Sequence, residues 1–385
     1  MNKQHFNSNS PGQLVNIKIH GDDDWAFIPD TLPQEWAIPI ELWPLLSQAK
    51  EELARLDGLG RHMPNFELLL KPLQQREALR SSSLEGTFAT PEQLLLFGIE
   101  PREPKSKNDP VNAWKEVFNY SNALRQGQEL MTKIPISIRF IKQLHKILLS
   151  GVRGNQKDPG NFRKVQVHIG SDKRFVPPPP NEAIRCLNNL EVLIHKNKID
   201  PLIFCFMVHY QFETIHPFLD GNGRVGRLLL SLMVYKLCNL SSPWLYLSAF
   251  FDKYKDEYIN NLYNVSAKSD WDSWLLYCLR ATIFQAKDSI KRFDQLVVLK
   301  EKYFKRVSDC GGSIRLHKLI EHLFETPVLS IPQAVKMLTI TYPTAKNDID
   351  ILLKLKIIDD SNIEQRPKIF FAPEIMRIAY SDSIE

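Results

Sequence analysis

The sequence lacks the features of several protein classes. Its 385 residues include five scattered cysteines and no CxxC pair, which excludes a disulfide scaffold and a zinc ribbon and fits a reducing compartment. The first residues, MNKQHFNSNSPGQ, contain no apolar stretch of the signal-peptide type. Since no run of about 18 apolar residues occurs either, we expect a cytoplasmic protein with no membrane partner.

The chain also has only a small excess of positive over negative charge. The net charge is +5 with 24% charged residues, too small an excess to indicate a nucleic-acid or membrane partner by itself. At roughly 100–200 residues per domain, the length predicts two or three domains. We place their boundaries at 1–109, 110–290 and 291–385.

Most of the chain has helical periodicity, so we expect a mostly α fold. A second helix should run through LLLKPLQQREALRSSSLEG and end at Gly86, because glycine adopts the left-handed conformation that ends helices. Thr90, Pro91 and Gln93 predict the capped start of the next helix. The first 35 residues, rich in Asn, Asp, Pro and Gly, predict an irregular, partly extended arm.

Two segments depart from this pattern. Between 151 and 180, an apolar alternation, a turn at 170–173, Phe175-Val176 and four prolines predict a small β-hairpin. In the last 75 residues, IPQAVKMLTITYPTAKNDIDILLKLKIID predicts a helix-turn-helix, and IEQRPKIFFAP predicts a short β wing. Together these predict a winged helix.

The residues with the clearest chemistry form the segment HPFLDGNGRVGR, 216–227. Loop glycines let backbone N–H groups approach phosphate oxygens, and the start of the following helix adds positive potential. Arg224 and Arg227 share a helix face and can each hold a phosphate. Asp220 is a suitable Mg²⁺ ligand, and His216 can accept a proton from a hydroxyl near neutral pH.

The same segment contains GxGxxG at Gly221, Gly223 and Gly226, which matches the dinucleotide fingerprint. That fingerprint must follow a strand and be followed, about 20 positions on, by an acidic residue. Here a helix-like segment precedes it, and SSPWLYLSAF occupies the later position. We therefore reject a dinucleotide site. A metal site at Cys205 and His209 is also disfavoured, because no further ligand has matching spacing.

Residues 216–227 match HxFx(D/E)GNGRxxR, the signature of Fic-domain proteins, at every fixed position. FRKVQVHIG followed by FVPPPP resembles the flap hairpin of that family, and SSSLEGT resembles its inhibitory motif (S/T)xxxE(G/N). Tyr258 resembles the aromatic residue on the adenine side. The chain as a whole resembles the bacterial class in which an inhibitory helix precedes the motif.

The resemblance implies a Fic (Fido) helical core at 110–290 with a small β-hairpin flap, plus the C-terminal winged-helix domain. It implies a protein adenylyltransferase that transfers AMP from ATP, with Mg²⁺, to a Tyr, Thr or Ser hydroxyl of a target protein or of itself. His216 would be the catalytic base and Asp220 the metal ligand. The implied ATP-binding residues are Gly221, Asn222, Gly223, Arg224, Val225, Gly226, Arg227 and Tyr258.

The resemblance also implies regulation and target docking. Glu85, with Ser81 and Gly86, would inhibit the enzyme by engaging Arg227. The flap would pair with extended target backbone as an added strand; its docking residues would be Val167, His168, Ile169 and Gly170. Two positions depart from relatives: Gly223 replaces the lysine of kinase-like members, and Ile259 replaces a frequent tyrosine. Tyr258 could instead be a core residue.

The charge of the C-terminal tail indicates which kind of partner it binds. Residues 311–385 contain nine basic and ten acidic residues, a net charge of −1, and DNA binding draws much of its affinity from neutralised phosphates. We therefore expect protein contact or a homodimer, and no nucleic-acid partner. Two alternatives stay open: a DNA-binding transcriptional regulator with a Fic sensor core, and a Fic enzyme with another reaction, such as AMP removal or UMP transfer.

Overall fold

The structure is a computed structural model, and it describes residues 1–19, 21–62, 67–106, 108–152, 158–170, 173–360 and 367–382. The described chain is mostly helical, which confirms the predicted fold class. Its helices are α1 (Trp43–His62), α2 (Glu67–Leu84), α3 (Pro91–Ile99), α4 (Val111–Leu130), α5 (Ile138–Leu148), α6 (Pro180–Ile194), α7 (Pro201–Ile215), α8 (Asn222–Leu237), α9 (Ser248–Lys253), α10 (Lys255–Lys268), α11 (Trp271–Asp309), α12 (Ile314–Glu325), α13 (Ile331–Leu338), α14 (Tyr342–Lys354) and α15 (Pro373–Tyr380). Its strands are β1 (Gly12–Ile19), β2 (Asp22–Pro29), β3 (Val328–Ser330), β4 (Asp359–Asp360) and β5 (Ile369–Phe371).

The prediction of an irregular N-terminal arm was wrong. Strands β1 and β2 form a regular antiparallel hairpin with Gly12 opposite Pro29, and Gly21 has a φ of +96° at the turn. A lone two-stranded hairpin is marginal in water, so its stability must come from its neighbours. Phe27 on β2 donates a backbone hydrogen bond of 2.9 Å to the carbonyl of Val176.

The junction between α2 and α3 confirms the predicted helix end at Gly86 and the predicted helix cap at Thr90. Helix α2 ends at Leu84, and Gly86 adopts the left-handed φ of +77°. Thr90 and Gln93 form a capping box at the start of α3, with reciprocal side-chain to backbone hydrogen bonds of 2.9 and 3.2 Å. The abrupt end of α2 leaves Glu85 just beyond the last turn of the helix.

Helices α7 and α8 carry the motif between them. Every residue of α7 from Leu202 to Phe212 is buried, as expected for a helix that is apolar all round. Helix α8 packs along it and is buried from Val225 to Val234. The loop at 216–221 is therefore anchored at both ends in the core of the protein.

The predicted flap hairpin is shorter than expected. In the described part of 158–180, it consists of one antiparallel bridge between Ile169 and Phe175, with N···O distances of 2.8 and 3.4 Å. Residues 177–180 are prolines, which have no N–H to extend the ladder. Residues 171 and 172 of the predicted turn lie outside the described residues.

The tail has the order helix, strand, helix, helix, strand, strand, with its short antiparallel sheet arranged β3-β5-β4. That order is typical of a winged helix. Residues 361–366, in the predicted wing, lie outside the described residues, and the winged-helix assignment stays a prediction. The domain boundaries stay predictions too; the 39-residue helix α11 runs through 290 and 291.

The tail contacts the helix that carries the predicted inhibitory motif. The Lys71 ammonium on α2 donates a 2.8 Å hydrogen bond to Thr326, and Tyr380 on α15 donates one of 2.5 Å to Gln75 on α2. Within the described ranges, no helix combines the length and the apolar character needed to cross a membrane.

Candidate active site

His216 caps the C-terminus of α7 in a left-handed conformation, with φ 49° and ψ 60°. Such a conformation is strained for a residue other than glycine and needs support from its surroundings. The buried Arg163 provides support through a 2.9 Å hydrogen bond from Nε to the His216 carbonyl. The other end of Arg163 donates to the carbonyl of Pro178, so one guanidinium ties the histidine to the base of the flap.

The protonation state of His216 suits a base. Its Nδ1 lies 3.3 Å from the carbonyl oxygen of Glu213; a carbonyl can only accept, so we assign the proton to Nδ1 and the lone pair to Nε2. Burial lowers the pKa of His216 from 6.5 to about 4, against the raising effect of the Glu213 carbonyl. The imidazole is therefore neutral at pH 7 and able to accept a proton.

Asn222 braces the loop with its side chain. Its Oδ1 accepts a 2.8 Å hydrogen bond from the Phe218 amide, and its Nδ2 donates one of 2.9 Å to the Phe218 carbonyl. The brace uses one of the two N–H groups of Nδ2, so the other one and the backbone amide of Asn222 are the donors left for a phosphate. Helix α8 begins here, so the amides of its first turn have no partner within the helix. Gly221 has a φ of +76°, which explains the glycine at that position.

The motif residues differ in what they present to the cavity. Val225 is fully buried in the core, so its side chain does not reach a ligand. A side chain at Gly223 would collide with the Glu85 carboxylate, and one at Gly226 would collide with the Glu213 carboxyl group. Glycine at these two positions therefore lets the carboxyl groups pack closely against α8.

Arg227 is held by the predicted inhibitory motif. Its Nε donates a 2.8 Å hydrogen bond to the Ser81 hydroxyl, and its Nη2 donates to the Ser81 carbonyl at 2.9 Å and to Glu85 Oε1 at 2.7 Å. The Arg227 side chain is 3% exposed, whereas that of Glu85 is 38% exposed. Burial alone would raise the pKa of Glu85, but the Arg227 charge outweighs it and lowers that pKa.

Arg224 has a different partner. Its Nη1 lies 3.0 Å from Glu116 Oε2 on α4, and both side chains are buried. Thr87 also donates to Glu116 Oε2, at 3.1 Å. Sequence reasoning missed Glu116, which lies 108 positions from Arg224 and is brought there only by the packing of α4 on α8.

Asp220 lies at the mouth of the site. Its side chain is 35% exposed and 3.7 Å from Arg224 Nη2, and its Oδ1 accepts a 2.6 Å hydrogen bond from the Gly221 amide. In the part of the chain that is described, no cluster of three or more His, Cys, Asp or Glu residues could hold a metal ion. A half-buried carboxylate at the mouth of a site fits Mg²⁺ that takes its other ligands from phosphate and water.

Tyr258 is a core residue that also lines the cavity. It is 5% exposed, its ring stacks on Phe251 at 4.6 Å, and its hydroxyl lies 2.8 Å from His209 Nε2. The other nitrogen of His209 lies 3.2 Å from the Gly226 carbonyl, and burial lowers the pKa of His209 to about 3. Both ring nitrogens of His209 thus have protein partners.

These groups meet at a cavity of about 280 Å³. The flap contributes Ile169, Gly170 and Phe175, and α10 contributes a mostly apolar wall. On the opposite side lie Glu85, Glu213, His216, Gly223 and Arg227. Val167 is half-buried and His168 exposed outside the cavity. The arrangement combines apolar walls, an arginine, a helix start and a neutral histidine, which suits a nucleotide.

Sequence reasoning missed two further residues of this cavity. Lys255 donates a 2.7 Å hydrogen bond to the carbonyl of Leu84, one of the free carbonyls at the end of α2. Glu213 Oε1 is buried with no hydrogen-bond partner, and burial raises the pKa of Glu213 to about 8. The spacing could have indicated Glu213, since it lies three positions before His216 near the end of α7.

Comparisons with known proteins agree with the motif. A model of the Fic/DOC family N-terminal region matches residues 43–129, and the Fic/DOC family model matches residues 135–234. Protein adenylyltransferase Fic from Drosophila yakuba is 34% identical over 130 residues, and that from Drosophila melanogaster is 33% identical over 130 residues. Each alignment covers 33% of this chain and 25% of the relative, so this chain matches only a quarter of their length.

Solved structures give the same fold. A Fic family protein from Desulfovibrio desulfuricans G20 superposes with a TM-score of 0.55 at 19% identity, over 88% of this chain and 97% of that one. Fic-1 from C. elegans superposes with a TM-score of 0.52 at 18% identity, over 66% of this chain and 76% of that one. Residues 43–129 and 135–234 therefore carry the Fic/DOC N-terminal region and the Fic/DOC domain, and the two superpositions show the same fold.

Proposed function

We propose that this protein is an adenylyltransferase that transfers AMP from ATP to a hydroxyl group of a target protein, releasing pyrophosphate. One observation carries the proposal: His216, whose Nδ1 lies against the Glu213 carbonyl, shares a cavity with Arg227 and with Gly223 of the first turn of α8. The relatives named protein adenylyltransferase support this reaction class.

The groups of the site have separate tasks in this reaction. His216 Nε2 accepts the proton of the attacking Tyr, Thr or Ser hydroxyl, while Nδ1 keeps its proton towards Glu213. The hydroxyl oxygen bonds to the α-phosphorus, and the bond from that phosphorus to the bridging oxygen of pyrophosphate breaks. Free amides of the α8 first turn and the Arg227 guanidinium stabilise the phosphate charge, so positioning supplies most of the catalysis.

Asp220 is the protein ligand we assign to Mg²⁺. Its half-buried carboxylate at the mouth of the site fits that role when phosphate and water supply the other ligands. When bound there with ATP, the ion would neutralise negative charge on the phosphates.

Glu85 is the residue we assign to inhibition. In the described structure Arg227 directs its hydrogen bonds to Ser81 and Glu85. An arginine engaged in this way offers less to a γ-phosphate, and ATP held without that contact loses its in-line geometry. Glu85 is more exposed than the other members of the cluster, so it is the member that can move away.

The flap is the surface we assign to target docking. Ile169 bonds to Phe175 on one side, and Val167 to Gly170 are half-buried or exposed along their length. An extended target segment would add to this edge by backbone hydrogen bonds, which leaves side-chain specificity loose.

The test is mass spectrometry of the protein, and of proteins that co-purify with it, after incubation with ATP and Mg²⁺. Added AMP is expected, and His216→Ala should reduce it ~10²-fold or more while ATP binding persists. His195→Ala is the matched control, since His195 bonds to the Ile136 carbonyl away from the cavity. Unchanged labelling by His216→Ala would remove His216 from the mechanism, and absence of any AMP adduct in a Glu85→Gly variant would contradict the proposed reaction.

A further inference from the structure

His145 on α5 is a fully buried histidine that contacts the motif loop without lining the cavity. Its Nδ1 lies 2.8 Å from the amide nitrogen of Gly160, and its Nε2 lies 3.0 Å from the carbonyl oxygen of Asp220. An amide N–H can only donate and a carbonyl can only accept, so we assign the proton to Nε2 and the lone pair to Nδ1. One imidazole therefore joins the segment that leads into the flap to the backbone of Asp220.

Packing fixes the plane of the His145 ring. The ring stacks on Phe218 of the motif loop, with ring centroids 3.8 Å apart and an angle of 8° between the planes. A β-carbon added at Gly221 would lie 3.8 Å from His145 Cδ2, so the loop passes closely over the histidine. Because both nitrogens are bonded and one face is covered, the imidazole is held in an orientation that directs its Nε2–H at the Asp220 carbonyl.

The motif loop has a second backbone anchor at its other end. Arg163 donates a 2.9 Å hydrogen bond from Nε to the His216 carbonyl. Arg163 and Gly160 lie three residues apart, in the segment before the flap. That segment therefore holds both ends of the loop, since it reaches His216 directly and reaches Asp220 through His145.

The backbone position of Asp220 limits where its carboxylate can lie. Asp220 Oδ1 accepts a 2.6 Å hydrogen bond from the Gly221 amide, which restrains the side chain relative to its own backbone. The hydrogen bond from His145 restrains that backbone relative to α5. Mg²⁺ requires near-ideal octahedral geometry with ligands at about 2.0–2.1 Å, so a misplaced ligand weakens its binding. Residues that orient a metal ligand typically contribute about 10- to 100-fold to metal affinity or activity.

We propose that His145 is a positioning residue, which holds Asp220 in place as a Mg²⁺ ligand by donating a hydrogen bond from Nε2 to the Asp220 carbonyl. This rests on the proposed nucleotide-transfer function and on the assignment of Asp220 to Mg²⁺. The two hydrogen bonds of His145 have different tasks, because the bond from Gly160 orients the ring and the bond to Asp220 positions the ligand. Substitutions that keep one bond and remove the other therefore separate the two tasks.

The experiment is calorimetric titration of α,β-methylene-ATP, whose α–β bridge does not break, into the full chain. Each protein is titrated once with excess Mg²⁺ and once with EDTA. The dissociation constant in EDTA divided by that in Mg²⁺ is the magnesium gain. Glu85→Gly is the parent, because it frees Arg227, and Asp220→Ala in the same background gives the magnesium gain without the assigned ligand.

Two substitutions of His145 form a matched pair. His145→Asn places an acceptor where histidine has Nδ1, so it keeps the Gly160 bond and loses the donor to Asp220. His145→Gln places an amide nitrogen where histidine has Nε2, so it keeps that donor. The magnesium gain should fall about tenfold in His145→Asn, towards the value for Asp220→Ala, and stay close to the parent value in His145→Gln. Both variants should lower the melting temperature by similar amounts, since each leaves a buried group unpaired.

The control is His195→Asn, the same substitution at a histidine that bonds to the Ile136 carbonyl away from the cavity; its magnesium gain should match that of the parent. Equal gains in the parent and His145→Asn would overturn the inference. Equal losses in His145→Asn and His145→Gln would also overturn it, because they would indicate a packing role alone. If His145→Asn does not fold, His145→Phe keeps a stacked ring, lacks both hydrogen bonds and carries the same expectation.

Failure of the inference can be distinguished from failure of the proposed function. A parent protein that binds no nucleotide in either condition would contradict the proposed function. A magnesium gain that Asp220→Ala leaves unchanged would remove Asp220 from the metal site, and this inference with it, while nucleotide binding would stand. A gain that depends on Asp220 but not on His145 would leave the function and the metal ligand standing and remove His145 alone.

Discussion

The two arginines of α8 lie three residues apart, yet their carboxylate partners sit in very different surroundings. Arg224 pairs with Glu116, and the two side chains are 6% and 7% exposed. Arg227 pairs with Glu85, which is 38% exposed at the end of α2. Separating two charges that are buried together has a large free-energy cost. A carboxylate that faces solvent can leave its arginine at a smaller cost, because water then solvates it.

The comparison separates a structural pair from a releasable one. Glu116 lies within helix α4 and also accepts a hydrogen bond from Thr87, so the buried Arg224 pair holds α4 against α8. Glu85 lies after the last turn of α2, where a carboxylate is disfavoured by the helix dipole, and Arg227 offsets this. Lys255 further holds this end through the Leu84 carbonyl. We infer that regulation acts on the second pair.

The largest effect is expected from breaking the buried pair. Glu116→Ala leaves the Arg224 charge buried without its partner, so the free energy of unfolding should fall by about 3–5 kcal/mol. Urea denaturation measures it. Glu129→Ala on the same helix removes an exposed pair with Arg125 and should change stability by less than about 1 kcal/mol. Similar losses for the two variants would show that burial does not distinguish them.

The next effect concerns the arginine of the releasable pair. In a Glu85→Gly background, Arg227→Ala should lower the initial rate of AMP incorporation by about 10²-fold, because a buried donor to the phosphates is lost. Lysine at 227 should restore only part of the rate, since it lacks the forked geometry of arginine. If the alanine variant keeps the background rate, Arg227 has no role in transfer.

A smaller effect of opposite sign is expected for Glu85 itself. Glu85→Gly frees Arg227 and should raise AMP incorporation on the order of tenfold, the size of one charge-assisted hydrogen bond. Glu85→Gln, which keeps the shape but not the charge, should give an intermediate increase. Stability should change little, because the carboxylate is more than a third exposed. Equal rates for wild type and Glu85→Gly would contradict an inhibitory role.

The smallest effect is that of pH on the inhibition by Glu85. The lowered pKa of Glu85 means that its pair with Arg227 persists above the ordinary glutamate pKa and is lost only as the pH falls through the lower folded value. The rate ratio of Glu85→Gly to wild type should therefore be constant between about pH 6 and pH 8. A ratio that falls steadily over this range would mean that another group controls the restraint.

The same titration tests His216. With a pKa of about 4 instead of 6.5, it should lose its proton-accepting form only in acid, so kcat/KM of Glu85→Gly should show no acid limb near pH 6.5. The Glu85 charge raises the pKa of His216. Glu85→Gly removes that charge, so the acid limb of the variant should not move to higher pH.

Local patterns predicted much of the molecule. Gly86 and the Thr90 to Gln93 cap were predictable because helix ends depend on residues close in sequence. The twelve residues of the motif indicated the family for the same reason, since the loop and the start of α8 are one continuous segment. The N-terminal hairpin was missed because Asn, Asp, Pro and Gly dominate its composition, while its regular pairing is supported by the distant Val176.

What the sequence by itself determined is the chemistry available: a histidine before a glycine-rich helix start, two arginines on one face, and an SxxxE motif. What only the tertiary structure decided is how each group is used. Asn222 braces its own loop, Arg224 is joined to Glu116, and Glu213 is left as an unmatched acceptor. The reason is physical: hydrogen bonds and burial depend on atoms that packing brings together from α2, α4, α7 and α8, and no local spacing records those distances.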